Sequence, residues 1–403
     1  MNPSPACRTE LLPFLNDSKL MTLWTLLPEA RIVGGALRDT LAAQLFTDID
    51  FASPLLPEQV EKRLKSAGIG VIPTGISHGT VTAVIPPRHF QITTLRRDIT
   101  TDGRHAEVDF TRNWGEDATR RDFTINAMSM TREGIVFDYF GGLSDLFEKR
   151  IRFVGNPMIR VVEDNLRILR FFRFFAKFDA KSLDTNTQNA LSRVSLNFKL
   201  LSPERIFSEI FGIFEAPNPI IALEWMNQLG IISTLFPDGL NLAALRALMV
   251  RHAPRDAILR LAAALNENPS SFAARFNLSR THRDRLSRLV MFQSPHPKDN
   301  DDTLRKLLIQ SSVEDMILRT YLNGGTELFW TDLRHRIRSL RPPKFPLSGR
   351  DIIELGERNS KEIKNILRQV RVWWFESGCN AEPEECRKKA LNLLRRFTDS
   401  PGI

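Results

Sequence analysis

Hydrophobic and polar positions change rhythm about two fifths of the way along the chain. Arg31-Ile-Val is a short apolar strand that runs into Gly34-Gly35. Asp48 to Ala52 alternates polar and apolar, with Asp48 and Asp50 on one side and Ile49 and Phe51 on the other, as a half-buried strand does. Thr80 to Ile85 and Phe90 to Leu95 are rich in Thr, Val and Ile and predict two more strands. Pro57 to Gly68 has helical spacing, with Val60, Leu64 and Ala67 on one face. Beyond Val154-Gly-Asn-Pro157 helical periodicity takes over, in Val161 to Phe178, Pro203 to Phe214 and Ile220 to Leu229, and convincing strands are absent. A Pro-rich stretch, Arg341-Pro-Pro-Lys-Phe-Pro346, reads as a stiff connector. The pattern is α+β: a mixed sheet with helices on one face, then a long helical remainder.

Composition narrows this picture. The chain has 403 residues, 42% of them hydrophobic, ample for packed cores. No apolar run is long enough to span a bilayer, and Met1 to Leu12 makes a poor signal peptide, so the expectation is a cytoplasmic protein without membrane partners. Three cysteines, Cys7, Cys379 and Cys386, with no CxxC pair, argue against a disulfide scaffold or a zinc site. The net charge of +9 suits a polyanionic partner, and an ordinary basic soluble protein equally well.

Chemistry is concentrated in three places. Asp48 and Asp50 on one strand face repel unless a cation lies between them, and hard cations such as Mg²⁺ take such carboxylates together with substrate phosphates. A pair of ions held this way serves in-line phosphoryl displacement. Upstream, Gly34 and Gly35 allow close approach of the backbone to a phosphate at a helix start, and Arg38 is one turn in. Next, Arg120 and Arg121 can neutralise phosphate, and Asp122 can accept from ribose hydroxyls. Finally, Asp164, Arg167, Arg170 and Arg173 recur at three-residue steps and predict one polar side of a helix, whose Leu166, Leu169 and Phe172 are core. A carboxylate only accepts and a guanidinium only donates. Cytosine and adenine each offer an amine beside a ring acceptor and match the pair. Uracil and guanine turn an oxygen toward the carboxylate, and sites of this kind discriminate by about 10⁴-fold.

Strand, Gly-Gly, Arg-Asp and then Asp-x-Asp resemble the start of polymerase-β-type nucleotidyltransferases. Glu116-Asp-Ala-Thr-Arg-Arg-Asp-Phe-Thr-Ile-Asn-Ala-Met128 and Glu163-Asp-Asn-Leu-Arg-Ile-Leu-Arg-Phe-Phe-Arg173 resemble the class II CCA-adding tRNA nucleotidyltransferase and poly(A) polymerase family. The resemblance is specific over about residues 30–215 and weaker to about 380. It implies a catalytic head at 28–156 behind an N-terminal helical extension at 1–27. It further implies a neck at 157–215 with a base-selecting helix, a helical body at 216–340 and a tRNA-binding tail at 341–403.

By the same resemblance Arg121, Asp122 and Asn126 contact the nucleotide, Glu163, Asp164 and Arg167 select the base, and Arg170 and Arg173 hold phosphate or pack the site. The implied substrates are CTP, ATP and the tRNA 3′ end and acceptor stem, with two Mg²⁺ ions on Asp48 and Asp50. Asp138-Tyr-Phe-Gly-Gly-Leu-Ser-Asp-Leu146 resembles the family hinge. The segment 100–110, with Arg104, His105, Glu107 and Asp109, resembles its flexible loop. Leu201 to Glu209 resembles the last neck motif, with Ser202 as a helix cap.

Two departures stand out. Relatives often carry Glu where this chain has Gln91, which removes a candidate third carboxylate, and many carry Pro where it has Asn165. In the last third, Arg334, Arg336, Arg338 and Arg341 are candidates for phosphate tracking, balanced by the reading of a solvated linker, and Trp373 and Trp374 read as core. The sequence leaves open a poly(A) polymerase, an enzyme adding only CC or only A, a non-catalytic RNA-binding protein and a small-molecule nucleotidyltransferase.

Overall fold

The computed structural model describes residues 7–8, 14, 17–46, 48–72, 75, 79–101 and 106–398. They form two compact units, which divide between Pro237 and Asp238.

Among the described residues the first unit holds ten short strands, eight in one large sheet and two in a separate hairpin. The strands are β1 (Cys7–Arg8), β2 (Arg31–Val33), β3 (Asp50–Ser53), β4 (Gly70–Ile72), β5 (Thr80–Ile85), β6 (Arg88–Thr94), β7 (Arg96–Thr101), β8 (Ala106–Phe110), β9 (Ser129–Met130) and β10 (Ile135–Phe137). The large sheet has the order β1-β10-β9-β2-β3-β6-β5-β4, and β7 pairs with β8 alone. Among the described residues only β3 and β6 run parallel; the other pairs are antiparallel. The expected alternation holds at the carboxylate strand: Ile49 and Phe51 are buried, Asp50 is half-buried and Asp48 is exposed, although Asp48 lies just before the strand. Two-residue β1 carries too little pattern to be read from sequence, yet it joins the sheet beside β10.

Helices α1 (Ser18–Leu26), α2 (Gly34–Leu41) and α3 (Pro57–Ser66) belong to this sheet layer. Trp24 of α1 is fully buried, donates its indole N–H to Ala30 O at 2.9 Å and meets Phe51 edge-on at 5.5 Å. In α3 Pro57, Val60 and Leu64 are buried. Ala67 is exposed, contrary to the periodicity, because the helix ends at Ser66.

Two short helices, α4 (Trp114–Thr119) and α5 (Gly142–Phe147), flank a 3₁₀ turn at Thr124–Asn126. The Gly-Gly segment is pinned here. Asp138 accepts backbone N–H bonds from Phe140, Gly142 and Leu143 at 3.2, 2.9 and 2.8 Å. A Cβ on Gly142 would lie 2.1 Å from Thr124 O, so close packing requires that glycine.

The helical part of this unit starts with α6 (Pro157–Glu163) and α7 (Leu166–Lys177). The sequence predicts one helix from Val161 onward, and the structure breaks it. Asp164 is extended (φ −152°, ψ 109°), and its carboxylate accepts the backbone N–H of Leu166 at 2.9 Å, starting α7 afresh. Short acidic side chains compete in this way with helix continuation. Helix α7 buries Leu166, Ile168, Leu169, Phe171, Phe172, Phe174 and Phe175. Phe171 stacks on Phe153 at 5.6 Å, and Phe174 meets Phe123 edge-on at 5.5 Å, fastening α7 to the antiparallel bridge between Phe123 and Phe153, next to Asp122. Then follow α8 (Thr185–Arg193), α9 (Pro203–Glu215), α10 (Ile220–Gln228) and α11 (Ile231–Leu235). Ser202 occupies the N-cap of α9 but makes no side-chain cap bond, a correction to the expected capping role.

The second unit is helical, from α12 (Leu242–Val250) to a last helix at Pro383–Thr398. Buried Asp315 accepts from Arg285 and Arg288 at 3.2 and 2.8 Å. Arg334 is buried, stacks 3.7 Å over Tyr321 and donates to Thr320 and Gly325, so it is a structural residue and not a phosphate contact. Arg336 binds Asp301 at 2.7 Å, whereas Arg338 and Arg341 are exposed. Residues 341–348 are irregular, as the prolines dictate. Trp374 is core and Trp373 packs beside it, together with buried Cys379 and Cys386.

Candidate active site

The first unit contains a cleft of about 660 Å³ whose wall gathers residues scattered over the sequence. Gly34, Gly35, Arg38, Asp50, Arg121, Asp122, Asn126, Asp164, Arg167, Arg170 and Arg173 all line it. Glu163 sits beside the cleft on α6. Asp48 lines a neighbouring cleft of about 740 Å³ with Arg88, His89 and Phe90, so the two carboxylates stand at the border of two cavities.

At the sheet end, β2 delivers the chain into α2 through Gly34 at φ +68°, a conformation that suits glycine. A Cβ there would lie 3.9 Å from both Asp50 Oδ2 and Arg121 Nη1, which places this glycine between the carboxylate and the guanidinium. Burial, and next the charge of Asp48, push the Asp50 carboxyl above its ordinary value despite Arg121. A bound cation relieves that repulsion, and two carboxylates with substrate phosphates suffice for a hard divalent ion. The donor set therefore fits Mg²⁺. Among the described residues no group of three or more His, Cys, Asp or Glu side chains is arranged to hold a metal. Gln91 stands directly opposite Asp50 in the parallel register, where it contributes an amide and no charge.

Arg121 and Arg120 are both held by Asp117, at 3.0 and 2.8 Å. Asp117 is 2% exposed. Burial opposes its charge, but the two arginines outweigh that and keep its carboxyl below the ordinary range. Arg121 also donates to Asn126 O at 3.2 Å. Asp117 was not singled out in the sequence, although its spacing of three and four residues to Arg120 and Arg121 on one helical turn carried the signal.

Behind these groups runs a continuous hydrogen-bonded chain. Lys177 donates to Asp39 at 2.8 Å, and Asp39 takes Arg38 Nε and Nη2 at 2.8 and 2.9 Å. Arg38 Nη1 donates to Asn126 Oδ1 at 2.6 Å, and Asn126 Nδ2 donates to Asp122 Oδ1 at 2.9 Å. Asp122 Oδ2 accepts Arg170 Nε at 2.8 Å. Arg170 and Arg173 both approach Glu209, at 3.7 and 3.1 Å. Arg38, 6% exposed, is thus committed within the protein and braces Asn126 and Asp122. Burial opposes ionisation of Asp122, but Arg170, Asn126 and the Phe123 N–H outweigh it, so the carboxyl lies below its usual range. At Glu209, burial prevails over Arg173 and Arg170 and pushes the carboxyl up. Phe174 collects three guanidiniums, Arg38, Arg173 and Arg170, at 4.7, 5.3 and 5.7 Å from its ring centre. Phe174 reads in the sequence as an ordinary apolar position of an amphipathic helix, and Glu209, the last residue of the neck motif, gives no sign there of its arginine partners.

Asp164 and Arg167 reach the cleft from either side of the α6–α7 break and are oriented by different partners. Asp164 Oδ2 accepts Arg205 at 3.2 Å, and its Oδ1 starts α7. Arg167 Nη1 donates to Arg160 O at 3.1 Å and to the Glu163 carboxylate, which also takes Arg160 at 3.1 Å. Burial works against the charge of Glu163, yet these arginines hold its carboxyl below the usual value. Glu163 therefore acts on Arg167. On the hairpin, Asp109 pairs with Arg97 at 2.8 Å. Arg104, His105 and the side chain of Glu107 lie outside the described residues.

The family described as Poly A polymerase head domain matches residues 30–152, and the one described as the probable RNA and SrmB-binding site of polymerase A matches residues 182–241. The mitochondrial CCA tRNA nucleotidyltransferase 1 of Danio rerio is 33% identical over 369 residues, 89% of this chain and 86% of its own length. The human counterpart is 34% identical over 374 residues, 89% of this chain and 85% of its own length. The CCA-adding enzyme of Leuconostoc citreum is 39% identical over 204 residues, 49% of each chain. In fold, the chain is similar to the Bacillus stearothermophilus CCA-adding enzyme in complex with CTP, with a TM-score of 0.73, 24% identity and coverage of 94% and 98%. No helix among the described residues is long and apolar enough to cross a membrane. The animal relatives carry mitochondrial names, so the cytoplasmic expectation goes no further than that. On the similarity to the animal enzymes over nearly nine tenths of its length, the chain belongs to the CCA-adding tRNA nucleotidyltransferase family.

Proposed function

We propose that the chain adds or repairs the 3′-terminal CCA of tRNA from CTP and ATP, releasing pyrophosphate, with protein side chains choosing the base. The observation that supports it is the presence, in one cleft, of Asp50, Arg121 and the acceptor–donor pair Asp164 and Arg167. The relatives' names supply the tRNA and the CCA sequence.

In this reading the 3′-hydroxyl of the RNA attacks the α-phosphate and pyrophosphate leaves in line. Asp48 and Asp50 would hold divalent cations, and these would supply acidification of the attacking hydroxyl and charge neutralisation at the triphosphate. Arg121, fixed by Asp117, offers a rigid donor to the phosphates, and Arg120 stands beside it. Asp122, ionised and braced by Arg170 and Asn126, accepts from the ribose. Asp164 accepts the amine of cytosine or adenine while Arg167 donates to the neighbouring ring nitrogen. Uracil and guanine leave the half-buried pair unmatched. Arg205 and Glu163 hold the pair in place before a base arrives, and such preorganisation converts binding energy into selection.

The test presents each nucleoside triphosphate alone to a tRNA that lacks CCA. Wild-type protein incorporates CTP and rejects UTP and GTP, and Asp164→Ala loses that preference. Incorporation of UTP by the wild type at the rate of CTP would overturn the reading.

A further inference from the structure

The break between α6 and α7 aims Asp164 and Arg167, and one side chain stitches it. In an unbroken helix the carbonyl of Val161 would accept the backbone N–H of residue 165. Here Asn165 satisfies that carbonyl with its side-chain amide, Nδ2 to Val161 O at 3.1 Å. Its Oδ1 accepts the backbone N–H of Asn197 at 2.9 Å, in the connection that leads through the 3₁₀ turn Phe198–Leu200 to α9. Helix α9 carries Arg205, the partner of Asp164, and Glu209, the partner of Arg173. One amide therefore joins the end of α6, the start of α7 and the approach to α9, the three segments that orient the base-selecting residues.

We propose that Asn165 is a positioning residue for base selection, holding Asp164 out of the helix so that its carboxylate faces the cleft. The inference rests on the base-selection role of Asp164 and Arg167 given above. The backbone at 165 is at φ −61°, and Asp164 before it is extended. Proline fixes φ near this value and favours an extended residue before it. A proline at 165 therefore preserves the break by covalent restraint, where asparagine preserves it by hydrogen bonds. Alanine provides neither, and it favours continuation of the helix through Asp164.

The experiment compares wild type, Asn165→Ala and Asn165→Pro. Single-nucleotide incorporation with CTP, ATP, UTP and GTP gives kcat and KM for each, at a temperature below the lowest of the three melting temperatures. In Asn165→Ala the preference for CTP over UTP falls by about tenfold, the scale of losing two hydrogen bonds at a part-buried site. The loss appears mainly as a raised KM for CTP and ATP, with kcat within about threefold of wild type, because the group touches no reacting atom. Asn165→Pro keeps the wild-type preference within about threefold. A wild-type preference in Asn165→Ala, or an equal loss in both variants, overturns the proposal. Failure of the wild type to discriminate would strike the base-selection reading itself, a separate result.

Discussion

Replacing Arg170 by methionine removes the ionic brace of Asp122, together with a longer approach to Glu209 at 3.7 Å. Methionine keeps an aliphatic stem beside Phe174 while removing the guanidinium that places two nitrogens on Asp122 Oδ2, at 2.8 and 2.6 Å. Hydrogen bonds between charged groups contribute about 1.5–3 kcal/mol, and stranding one partner of a buried pair costs more, about 3–5 kcal/mol. The Arg170 side chain is 34% exposed, so water compensates in part and a loss of about 2–3 kcal/mol is the consistent figure. For a unit of this size each kcal/mol lowers Tm by about 2–4 °C, which gives a fall of about 5–10 °C. The pH dependence has a definite sign. In the wild type the folded-state pKa of Asp122 is depressed, so its stabilisation is present above the unfolded carboxylate pKa and is lost as pH falls through that range to the folded value. In Arg170→Met burial acts with less opposition, the folded pKa rises, and the ionised carboxylate becomes a cost at neutral pH. The gap in Tm is therefore largest at pH 7–8 and shrinks toward pH 4. Thermal unfolding followed by near-ultraviolet circular dichroism measures it. A gap below about 2 °C at pH 8, or one that widens on acidification, would refute the electrostatic reasoning.

Asp50→Asn removes a half-buried carboxyl whose pKa is raised, a group that costs stability as pH rises through its folded value. In chelator at pH 8 the variant melts higher than wild type, the difference vanishes near pH 4, and transfer is abolished; a lower Tm at pH 8 would contradict the assignment. Gln91→Glu places a carboxylate opposite Asp50 in the parallel register, and Mn²⁺ titration followed by electron paramagnetic resonance shows severalfold tighter binding. Unchanged affinity would remove position 91 from the cation site. Gly142→Ala forces a methyl against Thr124 O and destabilises by about 1–3 kcal/mol, visible as a lower Tm; an unchanged Tm would mean that the Gly142–Thr124 contact yields freely.

What the sequence made legible follows from local pattern. The carboxylate strand shows because alternation of period two is printed in four successive residues, and the clustering of Gly34, Arg121, Asp122 and Asp164 in one cleft agrees with the family resemblance. The α6–α7 break did not show, since Asp164, Arg167, Arg170 and Arg173 step as on a single helix. The capping bond of Asp164 to Leu166 and the side-chain bonds of Asn165 override that spacing. Glu209 was hidden for a different reason: its role depends on a partner that only the tertiary fold brings near, Arg173. Arg334 reads as a surface cation in sequence, but stacking on Tyr321 and bonds to Thr320 and Gly325 take it inside.

The central claim is that the protein, with no nucleic-acid template, builds C, C and A and then stops. Three synthetic tRNAs, ending before CCA, after the first C and after CC, are incubated with Mg²⁺, CTP and ATP, one nucleotide labelled at a time. The account predicts that all three are completed to CCA and extended no further. Continued addition of A on any of them would contradict it and identify a poly(A) polymerase, and no incorporation on any would leave an RNA-binding protein without transferase activity.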